Sequence, residues 1–188
     1  MTQAGSVVAD GDLRLFVALT LPEPVLDGLA RWSESELSTG RRIGRSDLHV
    51  TIAFLGRRPR TDLPAVLDAV EAVGSGASPF LLEPLRWRET RSVGMVVLAD
   101  PSGEAVRLAR ELHTRLEDAG LYRREARQWL PHVTVLRFRE RPRLHPSLPP
   151  IGAFAPSGLA AFLSRLHPSG ARYEVLESVP LDRMRLRG

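Results

Sequence analysis

The 188-residue sequence contains no cysteine and no lysine, and each absence excludes a class of chemistry. Without cysteine the chain forms no disulfide, no thiolate zinc site and no thiol nucleophile. Without lysine it has no amine nucleophile, so any catalysis has to use histidine, carboxylate or hydroxyl groups. All 26 positive charges are therefore arginines, and the net charge is +4. Guanidinium groups pair well with phosphate, so a polyanionic partner is permitted, although an arginine bias also fits coding composition.

Long apolar runs are missing as well. No stretch approaches the roughly 20 apolar residues that a membrane helix needs, and the first twelve residues lack the basic start and apolar centre of a signal peptide. We therefore expect a cytoplasmic protein with no membrane partner. The hydrophobic content of 43% is sufficient for one well-buried domain, which we predict to span residues 1–188.

Apolar periodicity and turn residues predict a mixed order of strands and helices. The predicted helices run from Pro24 to Leu37, from Asp62 to the glycines at 74 and 76, and within Ser102 to Ala119. The predicted strands cover residues 13–21, 49–55 (ending at Gly56), 80–87, 93–98, 132–138, 157–166 and 171–179. The segments 41–47 and 139–150 are predicted to be loops. This pattern indicates an α+β fold.

The same short phrase occurs twice, as His49-Val-Thr51 and as His132-Val-Thr134, each within an apolar, β-branched run. In a strand, residues i and i+2 project from one face, so each His shares a face with its Thr. Each copy follows a predicted helix. We therefore predict two pseudo-symmetric lobes, neither stable alone, each of which contributes one His-x-Thr strand to a shared catalytic cleft.

Two imidazoles near neutral pKa can supply both proton transfers of phosphodiester hydrolysis, because one accepts a proton from water and the other protonates the leaving oxygen. The threonine hydroxyls can donate hydrogen bonds to the phosphate oxygens. A single His-x-Thr is common in structural strands, so the function rests on the pairing of the two copies.

A metal site built from the histidines is the competing hypothesis, but no metal-ligand spacing such as His-x-x-x-His is present. The three remaining histidines are predicted to lie on the surface: His113 in the third helix, and His145 and His167 in loops next to proline.

Four blocks in the sequence resemble the two-histidine phosphoesterases, and specifically the RNA 2′,3′-cyclic phosphodiesterases that are also called 2′-5′ RNA ligases. The blocks are residues 14–22, 47–56, 131–137 and 163–174, in the family order. The resemblance implies a bilobal fold in which two antiparallel sheets line a central cleft, with helices outside. It also implies a monomer that acts without cofactor or metal on RNA with a 2′,3′-cyclic phosphate end, such as tRNA fragments.

The resemblance further implies a role for each motif residue. His49 corresponds to the proton donor and His132 to the proton acceptor, while Thr51 and Thr134 hold phosphate oxygens. The product is a 2′-phosphate, and the reverse reaction is 2′-5′ ligation, expected to be minor in water. Arg137 matches a position where the family often has an arginine, which would contact either the phosphate or a neighbouring nucleotide. Strict alternation places Arg137 on the core-facing side, so a bulge or the strand end has to redirect it if it is a ligand.

The resemblance does not identify a residue for base stacking. Many relatives carry an aromatic residue in the strand that corresponds to residues 93–98, and this chain has none there. Phe54 shares a face with Val50 in a regular strand, which favours core packing over stacking. Trp87 and Trp129 are alternative stacking residues, although packing at a lobe edge is the more common role for such tryptophans.

Three arginine clusters flank the motifs, and either an RNA path or a solvated charged face is consistent with them. They lie at positions 41, 42 and 45, at 57, 58 and 60, and at 123, 124 and 127. Two alternative functions keep the same cleft. One is hydrolysis of a small cyclic nucleotide or an ADP-ribose cyclic phosphate, and the other is a non-catalytic module that binds RNA ends.

Overall fold

The computed structural model describes residues 11–126, 128–167 and 170–181, in which three α-helices and eight β-strands are found. The helices are α1 (Glu23–Glu36), α2 (Leu63–Ser75) and α3 (Glu104–Asp118). The strands are β1 (Leu13–Thr20), β2 (Arg41–Arg42), β3 (Val50–Arg58), β4 (Glu83–Glu89), β5 (Val93–Ala99), β6 (His132–Arg137), β7 (Gly158–His167) and β8 (Gly170–Pro180). Short 3₁₀ turns lie at Arg45–Asp47 and Arg60–Asp62.

The strands form two four-stranded sheets, and every pairing is antiparallel. Sheet one has the order β3-β1-β7-β8, and sheet two has the order β2-β6-β5-β4. The first His-x-Thr motif leads into β3 of sheet one, and the second lies on β6 of sheet two. The predicted α+β fold with two antiparallel sheets is confirmed. The sheets are not consecutive halves of the chain, because sheet one combines strands from near both ends of it.

The central strand of sheet one buries both of its faces. Leu15, Val17 and Leu19 of β1 point into the main core, which both sheets and all three helices share. The alternate residue Phe16 lies on the other face, where it packs in a smaller cluster with Phe162 of β7. Burial of both faces explains why residues 15–19 of β1 form an unbroken apolar run.

The helices cover the sheets from outside. Helix α2 packs on β7 and β8 and against α3, which also contacts β3. Gly74 permits this approach, since a Cβ atom there would lie 2.7 Å from the side chain of Val179 on β8. On α1, the Trp32 ring meets the Trp87 ring of β4 with 6.1 Å between centroids, which links this helix to sheet two.

Several predicted boundaries need correction. Of the two glycines predicted to end α2, Gly76 is the C-cap as predicted, whereas Gly74 lies inside the helix. Strand β3 continues past Gly56, whose φ of 71° accommodates an irregularity in the β1 pairing instead of a strand end. The predicted 41–47 loop contains β2 and a 3₁₀ turn, and β4 begins at Glu83 instead of residue 80. The predicted turn before residue 170 lies partly outside the described residues.

Candidate active site

A cavity of about 170 Å³ lies between the two sheets, and residues of both motifs form its wall. His49 and Thr51 line it from the sheet-one side, and Thr134 and Arg137 line it from sheet two. His132 is part-buried and lies on the same face of β6, two residues before Thr134, but it is not among the residues that line the cavity. The structure therefore places four of the five predicted site residues in the cavity wall, from two separate sheets, and the fifth, His132, beside Thr134 on β6.

Both imidazoles are held by the same backbone contact. The Nδ1 atom of His49 lies 2.7 Å from the carbonyl oxygen of Asp47, and Nδ1 of His132 lies 2.8 Å from that of Leu130. A carbonyl oxygen only accepts, so Nδ1–H is the donor in each ring. In the neutral ring Nε2 then carries the lone pair, and in His49 it accepts a hydrogen bond from the Thr51 hydroxyl at 3.0 Å. In each histidine, Nε2 is therefore the ring nitrogen that the backbone contact leaves unused.

A bulge follows each His-x-Thr at the same position. In β3 the pairing with β1 passes from Thr51 to Ala53, so Ile52 is the extra residue. In β6 the pairing with β5 passes from Thr134 to Leu136, so Val135 is the extra residue. A bulge exchanges the two faces of a strand for every residue that follows it. Two consecutive buried residues result in each strand, after which the next side chain returns to the cavity.

The bulges decide the positions of Phe54 and Arg137, each of which lies three residues after the motif threonine. Both residues line the cavity. Arg137 needs a bulge to reach the site, and β6 has one. The prediction that Phe54 packs in the core is wrong, because its side chain is 51% exposed and the guanidinium carbon of Arg14 lies 5.0 Å from the ring centroid. The two motifs are thus extended to His-x-Thr-x-x-Phe and His-x-Thr-x-x-Arg.

His49 sits among aromatic rings, which sets its protonation state. Its ring centroid lies 5.0 Å from that of Phe16 and 5.4 Å from that of Tyr173. Burial among these rings, reinforced by the nearby His132 and the positive charge of Arg137, lowers the pKa of His49 from 6.5 to about 4, despite the opposing hydrogen bond to Asp47. In the free protein at neutral pH, His49 is therefore a neutral base with its lone pair on Nε2.

Asp47 also lines the cavity, and its carboxyl group has an unusual environment. Burial raises the pKa of Asp47 above its ordinary value, while the charges of Arg41 and Arg172 act in the opposite direction. Asp47 thus contributes two groups to the site: its side chain lines the cavity, and its backbone oxygen orients His49.

Sequence reasoning did not single out several cavity residues, among them Arg14, Phe16, Asp47, Ser164 and Tyr173. Apart from Asp47, they lie on β1, β7 and β8, distant in sequence from both motifs. Their only sequence signal was membership of the blocks that carry the family resemblance, since neither spacing nor alternation connects them with His49.

The two tryptophans are packing residues, as the more common role predicts. Trp129 donates from Nε1 to the carbonyl oxygen of Thr51 at 2.9 Å, so it holds the backbone of the first motif in place. Trp87 packs against the core and its ring covers Gly94, where a Cβ atom would lie 2.4 Å away. Neither lines the cavity.

The surface prediction for His113 is wrong, whereas His145 is exposed as predicted. His113 is 5% exposed, its Nε2 lies 2.9 Å from the carbonyl oxygen of Ile52, and its ring stacks on Tyr122 with 4.8 Å between centroids. It therefore contacts the bulged residue of β3 from inside. The His167 side chain lies outside the described residues.

The arginine clusters separate in the structure. In the first cluster, Arg45 makes ion pairs with Glu23 and Asp27 on α1. In the third, Arg124 makes an ion pair with Glu117, and residue 127 lies outside the described part of the chain. In the second, Arg57 and Arg60 line a cavity next to the active site. Each cluster thus contains an arginine that makes local contacts, since Arg58 of the second cluster pairs with Asp62 and donates to the carbonyl oxygen of Leu121, and the second cluster also contributes residues to this cavity.

Across the described ranges, no group of three or more His, Asp or Glu side chains is close enough to bind a metal ion. In the same ranges, every helix is too short or too polar to cross a membrane.

Known sequences match most of this chain. A family model described as the 2′-5′ RNA ligase superfamily matches residues 21–163. A protein of Thermus thermophilus named RNA 2′,3′-cyclic phosphodiesterase is 31% identical over 184 residues, which cover 90% of each chain. A protein of Methanocaldococcus jannaschii with the same name is 20% identical over 182 residues, 88% of this chain and 99% of that one.

Solved structures share the fold. A crystal structure of a Thermus thermophilus protein superposes with a TM-score of 0.75 at 29% identity and covers 90% of this chain and 98% of its own. Escherichia coli LigT in its apo form superposes with a TM-score of 0.74 at 23% identity, with 89% and 96% covered. The paired motifs, the two sheets and the family match lead to one conclusion: the chain belongs to the 2′-5′ RNA ligase superfamily.

Proposed function

We propose that the protein is a metal-independent hydrolase that opens 2′,3′-cyclic phosphates at RNA ends to 2′-phosphomonoesters. The observation that carries this proposal is the convergence of both motifs on one cavity, with each histidine held through Nδ1 so that Nε2 is available. The names of the Thermus and Methanocaldococcus relatives supply the substrate class.

In the proposed reaction the two rings move one proton each. His132 accepts a proton from water at Nε2 as the water oxygen bonds to phosphorus. The bond from phosphorus to the 3′ oxygen breaks, and the departing oxygen takes the proton of His49 Nε2, which leaves a 2′-phosphomonoester and a 3′-hydroxyl. Thr51, Thr134 and Arg137 hold the nonbridging oxygens. By microscopic reversibility, a 5′-hydroxyl in place of water gives the minor 2′-5′ ligation.

The low pKa of His49 adds a requirement to this mechanism. A proton donor must carry a proton, yet His49 is neutral in the free protein at pH 7. A bound phosphodiester is an anion beside the ring, and a nearby opposite charge favours the protonated imidazole. We therefore propose that His49 takes up its proton as the substrate binds.

Phe54 is the proposed contact for the terminal base. Its half-exposed ring borders the phosphate cavity, and base stacking on an aromatic ring contributes about 1–3 kcal/mol. The site is also complete within a single chain, which supports a monomer. Cytoplasmic location and tRNA fragments as substrates stay predictions.

The experiment is incubation with an RNA that ends in a 2′,3′-cyclic phosphate, with identification of the product, in the presence and absence of EDTA. We expect a 2′-phosphate at an undiminished rate in EDTA, and no product from the His49→Ala/His132→Ala double variant. A 3′-phosphate product would reverse the leaving group, and zinc-restored turnover after EDTA would support a metal hydrolase.

Two further measurements separate the alternative functions: turnover of cyclic mononucleotides and binding of the RNA. Turnover of cyclic mononucleotides but not of the RNA would indicate a small-molecule phosphodiesterase. Salt-dependent RNA binding without any product would indicate a binding module.

A further inference from the structure

A second cavity adjoins the active site, and its wall is strongly basic. Arg14 and Ser164 line both cavities, so the two share a boundary. The remaining polar wall of the second cavity consists of Arg57 and Arg60 near the end of β3, Arg165 on β7, and the exposed carboxylate of Asp12. Four arginines thus face one acidic side chain. We call this second cavity the arginine pocket.

Most of the charge in the arginine pocket is not neutralised. Within the described residues, Arg14, Arg57 and Arg60 make no ion pair, and Asp12 is not within ion-pair distance of any of them. Only Arg165 has a partner, since its Nε lies 3.2 Å from a carboxylate oxygen of Glu174. As far as the structure describes the chain, the pocket therefore holds three guanidinium groups that no carboxylate neutralises.

Two of these arginines are also placed at a cost to the fold. Arg14 on β1 and Arg57 on β3 are directly opposed in the antiparallel pairing. Like charges in directly opposed positions destabilise a sheet, and an uncharged residue at either position would remove the repulsion. An arrangement that the fold does not need points to a ligand that neutralises it.

We infer that the arginine pocket binds the internucleotide phosphate immediately upstream of the cyclic end, an inference that rests on the proposed function. An RNA chain presents one phosphate per nucleotide, so a substrate whose terminal phosphate lies between the two motifs carries its next phosphate nearby. The shared wall formed by Arg14 and Ser164 provides a continuous path between the two positions. The pocket thus selects an oligonucleotide end over a cyclic mononucleotide, which has no second phosphate.

The experiment compares kcat/KM for a cyclic-phosphate-ended trinucleotide with kcat/KM for the matching cyclic mononucleotide. We expect the ratio to fall about tenfold in the Arg57→Gln/Arg60→Gln double variant, because charge-assisted hydrogen bonds to a phosphate are lost. Arg31→Gln/Arg110→Gln is the matched control, since both arginines are exposed on α1 and α3 and the net charge change is equal.

A trinucleotide with an uncharged methylphosphonate at the last linkage removes the same interaction from the substrate side. If the pocket binds that phosphate, the losses do not add: the double variant turns over the charged and uncharged trinucleotides at nearly equal kcat/KM. The salt dependence of trinucleotide binding should also flatten, by a slope of about 0.7 for each lost phosphate contact.

Each outcome has one meaning. An unchanged ratio in the double variant, or an equal fall in the control, overturns the arginine pocket, while opening of the trinucleotide to a 2′-phosphate by the unmodified protein still supports the proposed function. Failure of the unmodified protein to turn over either substrate overturns the proposed function and this inference together.

Discussion

The two copies of the motif have the same local geometry but different surroundings. In each copy Nδ1 of the histidine donates to a carbonyl oxygen two residues earlier, a threonine follows, and a bulge turns the next polar or aromatic side chain into the cavity. His49 contacts three aromatic rings, whereas His132 contacts none within the described ranges. The residue after the bulge is Phe54 in one copy and Arg137 in the other.

The repeated motif thus fixes the orientation of each histidine ring but not its chemical role. The backbone contacts select the same tautomer in both copies, so both rings present Nε2. The distinction between proton donor and proton acceptor then has to arise from burial, from neighbouring charge and from where the substrate sits. Substitutions that remove one shared or one distinguishing feature at a time separate these contributions.

Removing either imidazole should have the largest effect. His49→Ala and His132→Ala are each expected to lower kcat for cyclic-phosphate opening by about 10²–10⁴-fold, the range for loss of a general acid or base. Steady-state assays on the cyclic-phosphate-ended RNA measure this, with circular dichroism to verify the fold. His145→Ala, in an exposed loop, is the control and should retain full turnover. Wild-type activity in either motif variant would exclude the two-imidazole mechanism.

Removing either threonine hydroxyl should have the next largest effect. Thr51→Val and Thr134→Val keep the side-chain shape but delete a hydrogen-bond donor, and we expect each to lower kcat about 100-fold. The matched Thr→Ser variants restore the hydroxyl and should recover most of the rate. If the valine variants were as active as the serine variants, the threonines would not contact the phosphate.

Exchanging the residue after each bulge should separate phosphate binding from base binding. Arg137→Leu is expected to weaken inhibition by inorganic phosphate and to raise KM for RNA, each about tenfold, because a charged phosphate contact is lost. Phe54→Leu is expected to raise KM for RNA to a similar degree through lost stacking, with phosphate inhibition unchanged. Equal effects of both variants on phosphate inhibition would contradict this division.

The smallest expected effect is on stability. Because the pKa of His49 is about 4 in the folded protein and 6.5 in its ordinary state, the unfolded chain binds the proton first as pH falls below 6.5, and folding stability decreases. Relative to pH 8, His49→Gln should therefore gain about 1 kcal/mol over the unmodified protein at pH 5.5, or about 2–4 °C in Tm. Parallel pH dependence of both melting temperatures would show that burial does not lower this pKa.

The sequence predicts the site's centre well because the two histidines and two threonines lie in short local patterns. Strand alternation alone places each His with its Thr, whereas the two antiparallel sheets were predicted from the family resemblance. The α+β fold and most strand and helix cores are confirmed for the same reason: their apolar patterns are local.

What the sequence does not predict depends on contacts between distant strands. The bulges at Ile52 and Val135 arise from pairing with β1 and β5, and they reverse the faces that alternation assigns to Phe54 and Arg137. The burial of His113 depends on α3 packing against β3. The rings around His49 come from β1, β7 and β8, which no spacing within the motif can indicate.

The central claim is that His49 is the proton donor and His132 the proton acceptor, although their backbone contacts are alike. A 3′-deoxynucleoside 2′-(p-nitrophenyl phosphate) tests it most directly, because p-nitrophenolate departs without a proton. We predict that His49→Ala hydrolyses this ester at nearly the rate of the unmodified protein while it fails on the cyclic phosphate, and that His132→Ala fails on both. Rescue of His132→Ala instead of His49→Ala by the activated ester would contradict the assignment.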